Sequence, residues 1–198
     1  LYLKITGAVL AAIVFAVSTW AIRKSNEARQ ANVTAILTSS PAELRETFKN
    51  LSTASLSFLQ GVRDNVKSTP TPRLHAAYAL AHLNQSQDGF LVENLMHATA
   101  EEMPHFLNAM SSKPEDTIIE QLGKLANRVQ VSGGPTLTKS EPLTVKAAAV
   151  LIALNRIDRL TSFDARSTDG DPQLQTQFVH NYHRWIGSPS RLRQALAS

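Results

Sequence analysis

The residues whose types and spacing come nearest to a chemical site are His180 and His183. Residues three apart on a helix share a face, so the two imidazoles could approach one metal ion. A zinc site needs a third protein ligand, and a catalytic one usually adds a general base, as in His-Glu-x-x-His. The sequence places neither beside the pair, so no metal-ligating residue is predicted and the pair is expected to pack or to cap a helix. The other histidines stand singly and are predicted to be surface or hydrogen-bonded core residues: His75, His82, His97 and His105.

Two loop patterns resemble ligand-binding loops but lack the residues that hold a ligand. The stretch from Gly133 to Ser140 is similar to a phosphate-binding loop, yet Thr138 replaces its second glycine and no parallel strand precedes it. The aspartates at 164, 169 and 171 lack the alternating ligands and the terminal glutamate of a calcium loop. No catalytic residue, no cofactor-binding residue and no cofactor is therefore predicted.

The net charge and the absence of cysteine exclude further classes of partner and site. The net charge is +4, but Lys4, Arg23 and Lys24 flank a single apolar run, and without them 17 basic residues face 16 acidic ones. That balance is too even for a surface that binds phosphate backbones, so no nucleic-acid partner is predicted. The absence of cysteine excludes disulfides and cysteine-based zinc sites.

The N-terminal segment has the length of a membrane span. Ile5 to Ile22 carries no charge, and as a helix it would be about 27 Å long, close to the roughly 30 Å hydrocarbon core. Trp20 stands at one end, where an interfacial aromatic is expected. Residues 1–24 are predicted to be a transmembrane anchor that contacts the membrane through residues 5–22. A cleaved signal peptide and a buried core helix are the alternatives, although Trp-Ala-Ile-Arg-Lys replaces the small-residue cleavage site of a signal peptide.

The remaining chain has helical periodicity, with apolar residues three and four apart and no alternating strand pattern. We predict a juxtamembrane helix at 25–39 and a helical-repeat domain at 40–198, with a loop at about 129–140. Capping boxes at Ser40–Glu43 and Thr99–Glu102 predict two helix starts. Leu56, Leu59 and Val66 predict the apolar stripe of one further helix, and the stretch from Phe90 to Met96 predicts another. The segments 74–83 and 147–154 are apolar on nearly every side, which is typical of helices packed between neighbours.

An internal repeat connects these helices. Seven positions agree at an offset of 59 residues, and a nine-residue run starting at Ala76 agrees with one starting at Ala147 at an offset of 71. Stacked units of this kind predict an all-α fold, with the transmembrane helix followed by a short α-solenoid like the HEAT or armadillo proteins. A simple helical bundle remains the alternative. The seven pairs are Val33/Val92, Ile36/Leu95, Leu37/Met96, Glu43/Glu102, Leu44/Met103, Phe48/Leu107 and Leu51/Met110.

The order of features resembles the connector region of large bacterial transmembrane proteins that join a serine/threonine-kinase-like domain to a formylglycine-generating-enzyme-like (sulfatase-modifying factor) domain. The resemblance is carried by the segments 73–80, 98–104 and 171–180, and it spans nearly the whole chain. It implies a membrane span followed by a helical-repeat stretch outside the cytoplasm. Arg23, Lys24 and Arg29 after the span favour the opposite orientation under the positive-inside rule. No kinase or formylglycine-generating motif is present, so the resemblance transfers no active-site residue.

The predicted function is therefore that of a non-catalytic, single-pass membrane module. It would act as a spacer or as a protein-interaction or sensing scaffold within a larger signalling or surface-enzyme polypeptide. Its partners would be other proteins or adjacent domains of the same polypeptide. The alternative is a part of an enzyme whose kinase or formylglycine-generating domain lies outside this chain.

Overall fold

The computed structural model describes residues 2–127 and 141–160, with side chains from residue 17 onward apart from those at 141, 142 and 157. These ranges contain α-helices, three short 3-10 turns and no strand, which confirms the prediction of an all-α fold. The predictions that concern His180, His183, the loop at 129–140 and the aspartates at 164–171 lie outside the described residues. The helices are α1 (Tyr2–Thr38), α2 (Leu44–Phe48), α3 (Leu56–Asp64), α4 (Pro70–His82), α5 (Asp88–Glu93), α6 (Met103–Ala109), α7 (Asp116–Ala126) and α8 (Glu141–Ala153). The 3-10 turns are Thr53–Ser55, Leu95–His97 and Ile157–Arg159.

Helix α1 is one uninterrupted helix of 37 residues, about 55 Å long. Residues 2–24 of the predicted anchor (1–24) and residues 25–38 of the predicted juxtamembrane helix (25–39) are therefore parts of the same helix. Residues 17–32 are exposed, whereas Val33 and Ile36 near the C-terminal end are buried in the core. Among the described side chains of α1, those that enter the core thus lie in its last turns.

Within the described residues, no helix combines the length and the apolar character that crossing a membrane requires. The side chains of residues 2–16, which make up most of the predicted span Ile5–Ile22, lie outside the described set.

Helix α4 is the centre of the core. It starts with Pro70 and Pro72 in its first turn, where a missing N–H costs nothing, and residues Leu74 to Leu80 are all buried. It packs against α1, α2 and α3, which precede it in the sequence, and against α5 and α6, which follow it. Its burial on all faces confirms that a helix of this composition needs neighbours all round.

The repeat seen in the sequence has a structural counterpart. We define unit 1 as the end of α1 through α4 and unit 2 as α5 through α8. Helix α3 packs against α4 as α7 packs against α8, and the end of α1 meets α4 as the turn Leu95–His97 meets α8. Both members are buried in three of the seven paired positions: Val33/Val92, Ile36/Leu95 and Leu44/Met103.

The two buried helices also end in the same way. Asn84 and Asn155, which are 71 residues apart, have φ angles of 62° and 58° and are the only described non-glycine residues with positive φ. The N–H of the following residue, Gln85 or Arg156, donates to the carbonyl oxygen of Leu80 or Leu151, at 3.0 and 2.8 Å. Both ends are therefore Schellman caps that use asparagine in the left-handed conformation.

Two predicted apolar positions are wrong. Val66 was expected on the buried stripe of α3, but α3 ends at Asp64 and Val66 is 81% exposed. Met96 was expected to continue the helix from Phe90, but α5 ends at Glu93 and a 3-10 turn follows, which leaves Met96 60% exposed. In both cases the helix ends before the apolar side chain reaches the core.

A buried polar cluster between the two units

Helix α4 carries a histidine into the core. His75 is 1% exposed, and its Nδ1 lies 3.1 Å from the carbonyl oxygen of Ile36, at the end of α1. Its Nε2 lies 3.0 Å from Oε1 of Glu102, just before α6. A carbonyl oxygen only accepts hydrogen bonds, so Nδ1 carries a hydrogen. With Glu102 ionised, Nε2 donates as well, and the two residues form a buried ion pair that joins unit 1 to unit 2.

Glu102 is fixed from its other side by the predicted capping box. Its Oε2 accepts from the backbone N–H of Thr99 at 2.7 Å, and its own N–H donates to the Thr99 hydroxyl at 3.2 Å. Burial raises the pKa of the Glu102 carboxyl, but the hydrogen bonds from His75 and Thr99 outweigh it, and the net pKa lies below the ordinary value of 4.5. The buried carboxylate is therefore held in its charged form.

The second capping box, in unit 1, is only half formed. The N–H and hydroxyl of Ser40 both donate to Oε2 of Glu43, at 3.2 and 2.9 Å, and Glu43 is exposed. The helix that it was predicted to open, α2, begins only at Leu44. Glu43 and Glu102 thus hold equivalent places in the sequence, but only Glu102 is drawn into the core.

Lys146 occupies in unit 2 the position that His75 occupies in unit 1, since the two are 71 residues apart. Its Nζ donates to the carbonyl oxygens of Met96 and Ala98, at 3.1 and 2.5 Å. Burial lowers the pKa of the Lys146 ammonium group, and the negative charge of Glu102 opposes that effect. In each unit, a buried side chain of the last helix thus bonds to backbone carbonyl oxygens. His75 bonds to that of Ile36 near the end of α1, and Lys146 bonds to those in and just after the 3-10 turn that follows α5.

A row of aromatic and imidazole rings extends from His75. Tyr78 packs against His75 and His105, with ring centroids 6.2 and 6.3 Å away. Phe48 of α2 stacks on His82 at 5.4 Å and meets His105 edge-on at 6.5 Å. Three histidines that were predicted to stand singly are therefore gathered in one cluster between α2, α4 and α6.

One polar atom of this cluster has a hydrogen-bond partner, and another has none among the described residues. His105 Nε2 lies 2.7 Å from the carbonyl oxygen of Pro41. The buried Tyr78 hydroxyl has no hydrogen-bond partner among the described residues. Burial, with a contribution from Glu102, raises the pKa of that hydroxyl far above its ordinary value, so it stays protonated.

A cleft of about 490 Å³ opens beside the ion pair, between the two capping turns. It is lined by the side chains of Ser39, Thr71, His75 and Thr99 and by both glutamates at 101 and 102. A hydroxyl next to a His–Glu pair would suggest nucleophilic catalysis. However, both ring nitrogens of His75 are taken by Ile36 and Glu102, so the imidazole has no free nitrogen to accept a proton from a hydroxyl.

The described residues contain no group of three or more histidine, aspartate or glutamate side chains placed to hold a metal ion. The cluster's contacts instead join distant parts of the chain: Ile36 to His75, His75 to Glu102, and Lys146 to Ala98. Its chemistry is that of a structural clamp between helices.

Sequence reasoning missed this cluster although two signals were available. His75, Tyr78 and His82 are three and four residues apart on one predicted helix, which places them on one face. The 71-residue offset also extends back from Ala76 and Ala147 to His75 and Lys146. A polar residue at the same place in two otherwise apolar helices indicates a shared structural role.

Comparisons with protein-family models, with curated proteins and with solved structures find no match to this chain.

Proposed function

We propose that this chain is a non-catalytic, membrane-anchored helical-repeat module of the α-solenoid kind. Residues 5–22 of α1 anchor it in the bilayer. The repeat domain then acts outside the cytoplasm as a spacer or interaction scaffold within a larger signalling or surface-enzyme polypeptide. Its partners are other proteins or adjacent domains of that polypeptide.

The continuity of α1 is the observation that carries the proposal. One helix runs from Tyr2 to Thr38, and its last turns supply Val33 and Ile36 to the core. A flexible tether would let the domain move freely, whereas a continuous helix fixes its distance and direction. Between Ile22 and Val33 the helix rises about 16 Å, which is the spacing from the end of the anchor to the packed domain.

The repeated architecture supports the solenoid part of the proposal. Units 1 and 2 share the Schellman caps at Asn84 and Asn155 and the inward polar side chains at His75 and Lys146. Helix α4 touches elements of both units, as expected where each repeat packs on the next.

The pairing of His75 supports the non-catalytic part. This histidine lines a cleft together with Ser39, Thr71 and Thr99, where an imidazole with a free nitrogen could act as a general base. Because both its nitrogens are engaged within the protein, it serves the fold instead.

Carbonate extraction of membranes from cells that express the full chain tests the anchor. We expect the chain to stay with the membranes. The double variant Val9→Lys/Ile13→Lys should be released, because two charges in the apolar segment oppose insertion. The matched variant Ala28→Lys/Ala31→Lys, on the exposed part of the same helix, should stay. Complete release of the unchanged chain would overturn the proposed anchor.

Thiol labelling tests the side of the membrane. The chain has no cysteine, so Ser112→Cys, at an exposed position of unit 2, gives a single reactive site. A membrane-impermeant maleimide should label this variant on intact cells. Labelling only after lysis would place the domain in the cytoplasm, as the positive charges after the span favour.

A further inference from the structure

We propose that the segment Val17–Arg29 of α1 binds the headgroups of anionic phospholipids. This inference deepens the proposed anchor and rests on it: it assigns the lipid class that surrounds the point where α1 leaves the bilayer. The binding groups are Arg23, Lys24 and Arg29, with Trp20 at the boundary of the hydrocarbon.

Among the described residues, several large apolar side chains of this segment are mostly exposed. Val17, Trp20 and Ile22 are 59%, 62% and 62% exposed, and the whole stretch 17–32 is exposed. These three apolar side chains precede the basic residues Arg23, Lys24 and Arg29 along the helix. This order, with apolar side chains first and cations next, matches the passage from hydrocarbon to headgroups.

The spacing fits the thickness of a headgroup layer. Along the helix axis, Arg23 and Lys24 lie about 5 and 6 Å beyond Trp20, and Arg29 lies about 14 Å beyond it. The headgroup layer is about 5 to 8 Å thick on each side of the bilayer. With Trp20 at the hydrocarbon boundary, Arg23 and Lys24 are at the depth of the phosphates. Arg29 stands just outside, within about one Debye length.

The charge balance favours anionic lipid. Glu27 is the only acidic residue between positions 17 and 32, against three basic ones. Its ion pair with Arg23, at 3.2 Å, is between side chains that are 66% and 84% exposed, so a lipid phosphate can compete for the guanidinium. Lys24 lies over the Trp20 ring, 5.0 Å from its centroid, which places its ammonium group beside the interfacial aromatic.

The distribution of apolar and basic side chains around α1 favours lipid over a protein partner. At 100° per residue, Trp20 and Lys24 lie on one side of α1, whereas Ile22 and Arg29 lie on the opposite side. A protein that docks on a helix needs an apolar stripe on one face. Here large apolar side chains at similar depth lie on opposite sides of the helix, and basic side chains further along also lie on both sides, an arrangement that suits a surrounding layer of lipid.

Fluorescence quenching by brominated lipids tests the proposal on the full chain. Trp185→Phe leaves Trp20 as the only tryptophan. This variant is reconstituted in phosphatidylcholine vesicles that contain a minor fraction of phosphatidylglycerol. The bromine atoms are carried either by the phosphatidylglycerol or by an equal mole fraction of phosphatidylcholine. We expect stronger quenching by the brominated anionic lipid, corresponding to a local enrichment of about fivefold, and a loss of this difference at high salt.

Charge variants assign the effect to the segment. Arg23→Gln/Lys24→Gln/Arg29→Gln should remove the difference between the two lipids. The matched triple variant of exposed repeat-domain residues, Arg45→Gln/Lys49→Gln/Lys67→Gln, should retain it. If the first triple variant keeps the difference, the proposed headgroup site is wrong.

The outcomes separate this inference from the anchor. Equal quenching by both brominated lipids would overturn the headgroup site and leave the anchor standing. No quenching by either would show that Trp20 is not at a bilayer, which overturns the anchor and the site together. If Trp185→Phe does not fold, Ser25→Cys labelled with bimane, with nitroxide-labelled headgroups as quenchers, measures the same contact.

Discussion

At the scale of single residues, the described core uses ionisable side chains to hold helices together. His75, Glu102 and Lys146 are almost fully buried, and each bonds to a group far away in the chain. A buried charge is costly unless it is paired and hydrogen-bonded. Here the carboxylate bonds to His75 and accepts an N–H from Thr99, so its burial is compensated.

Glu102→Gln should lower the free energy of unfolding by about 3 kcal/mol at neutral pH, because it leaves the imidazole without its carboxylate. The lowered pKa of Glu102 means that its contribution is fully present above the ordinary value of 4.5 and is lost as the pH falls through the lowered folded value. The difference between Glu102→Gln and the unchanged chain should therefore shrink in acid. Urea unfolding at neutral and acidic pH measures it.

Glu43→Gln is the matched control, since Glu43 is the equivalent residue 59 positions earlier but is exposed. It should cost less than about 1 kcal/mol at either pH. Equal losses for the two variants, or a Glu102→Gln loss that persists unchanged in acid, would show that the buried ion pair does not stabilise the fold.

The contacts of single residues were the features that the sequence predicted least well. His75 bonds to Ile36 and Glu102, which are 39 and 27 residues away, and no local pattern specifies either contact. The capping box at Thr99–Glu102 was predictable because its partners are three residues apart. That Glu102 would also be buried depends on α4, which reaches it only through the tertiary fold.

At the scale of elements, the two buried helices, α4 and α8, end in the same way. The caps after α4 and α8 both place an asparagine in the left-handed region, which side chains other than those of asparagine and aspartate rarely adopt. This conformation lets the following N–H groups satisfy the last carbonyls of each helix. The caps thus stop both buried helices at equivalent points.

Asn84→Ala and Asn155→Ala should each destabilise the fold by about 1 kcal/mol, because alanine is strained at positive φ. Asn84→Gly and Asn155→Gly should be neutral or slightly stabilising, since glycine has no Cβ and adopts this conformation freely. Thermal unfolding followed by circular dichroism checks the four variants. An alanine variant as stable as its glycine counterpart would contradict the left-handed cap at that position.

The sequence predicted element types better than element ends. The segments 74–83 and 147–154 were predicted as buried helices because their apolar residues cover every face, and residues 74–80 and 147–152 are buried. The early end of α3 before Val66 and the break after Glu93 were not predicted. The 3.6-residue periodicity continues through both points, and only packing against other helices shows where the chain must turn.

At the scale of the molecule, α4 of unit 1 packs against helices of both units. Helix α4 contacts α1, α2 and α3 within unit 1 and α5 and α6 of unit 2. The ion pair from His75 to Glu102 crosses the same boundary. The described units should therefore unfold together, although each has helices of its own.

Leu80→Asp should unfold both units, because it places an unpaired charge at a fully buried position of α4 and costs several kcal/mol, which rivals the stability of a whole domain. Val66→Asp, which makes the same kind of change at an 81% exposed position, should have little effect. Hydrogen exchange resolved to α3 and α7 measures each unit separately. Protection retained in α7 while α3 exchanges freely would show that the units unfold independently.

The continuous α1 also fixes the azimuth of the packed domain. Each helical residue advances about 1.5 Å and turns about 100°. The number of residues between Ile22 and Val33 therefore fixes both the distance and the rotation of the core relative to the first turns of α1. One residue inserted there would rotate the domain by about 100° about the helix axis and move it only about 1.5 Å along that axis. Seven inserted residues would bring it back to nearly the same heading, about 10 Å further along the axis. The number of residues in this stretch therefore sets which face of the domain points toward any given neighbour, as well as how far away it stands.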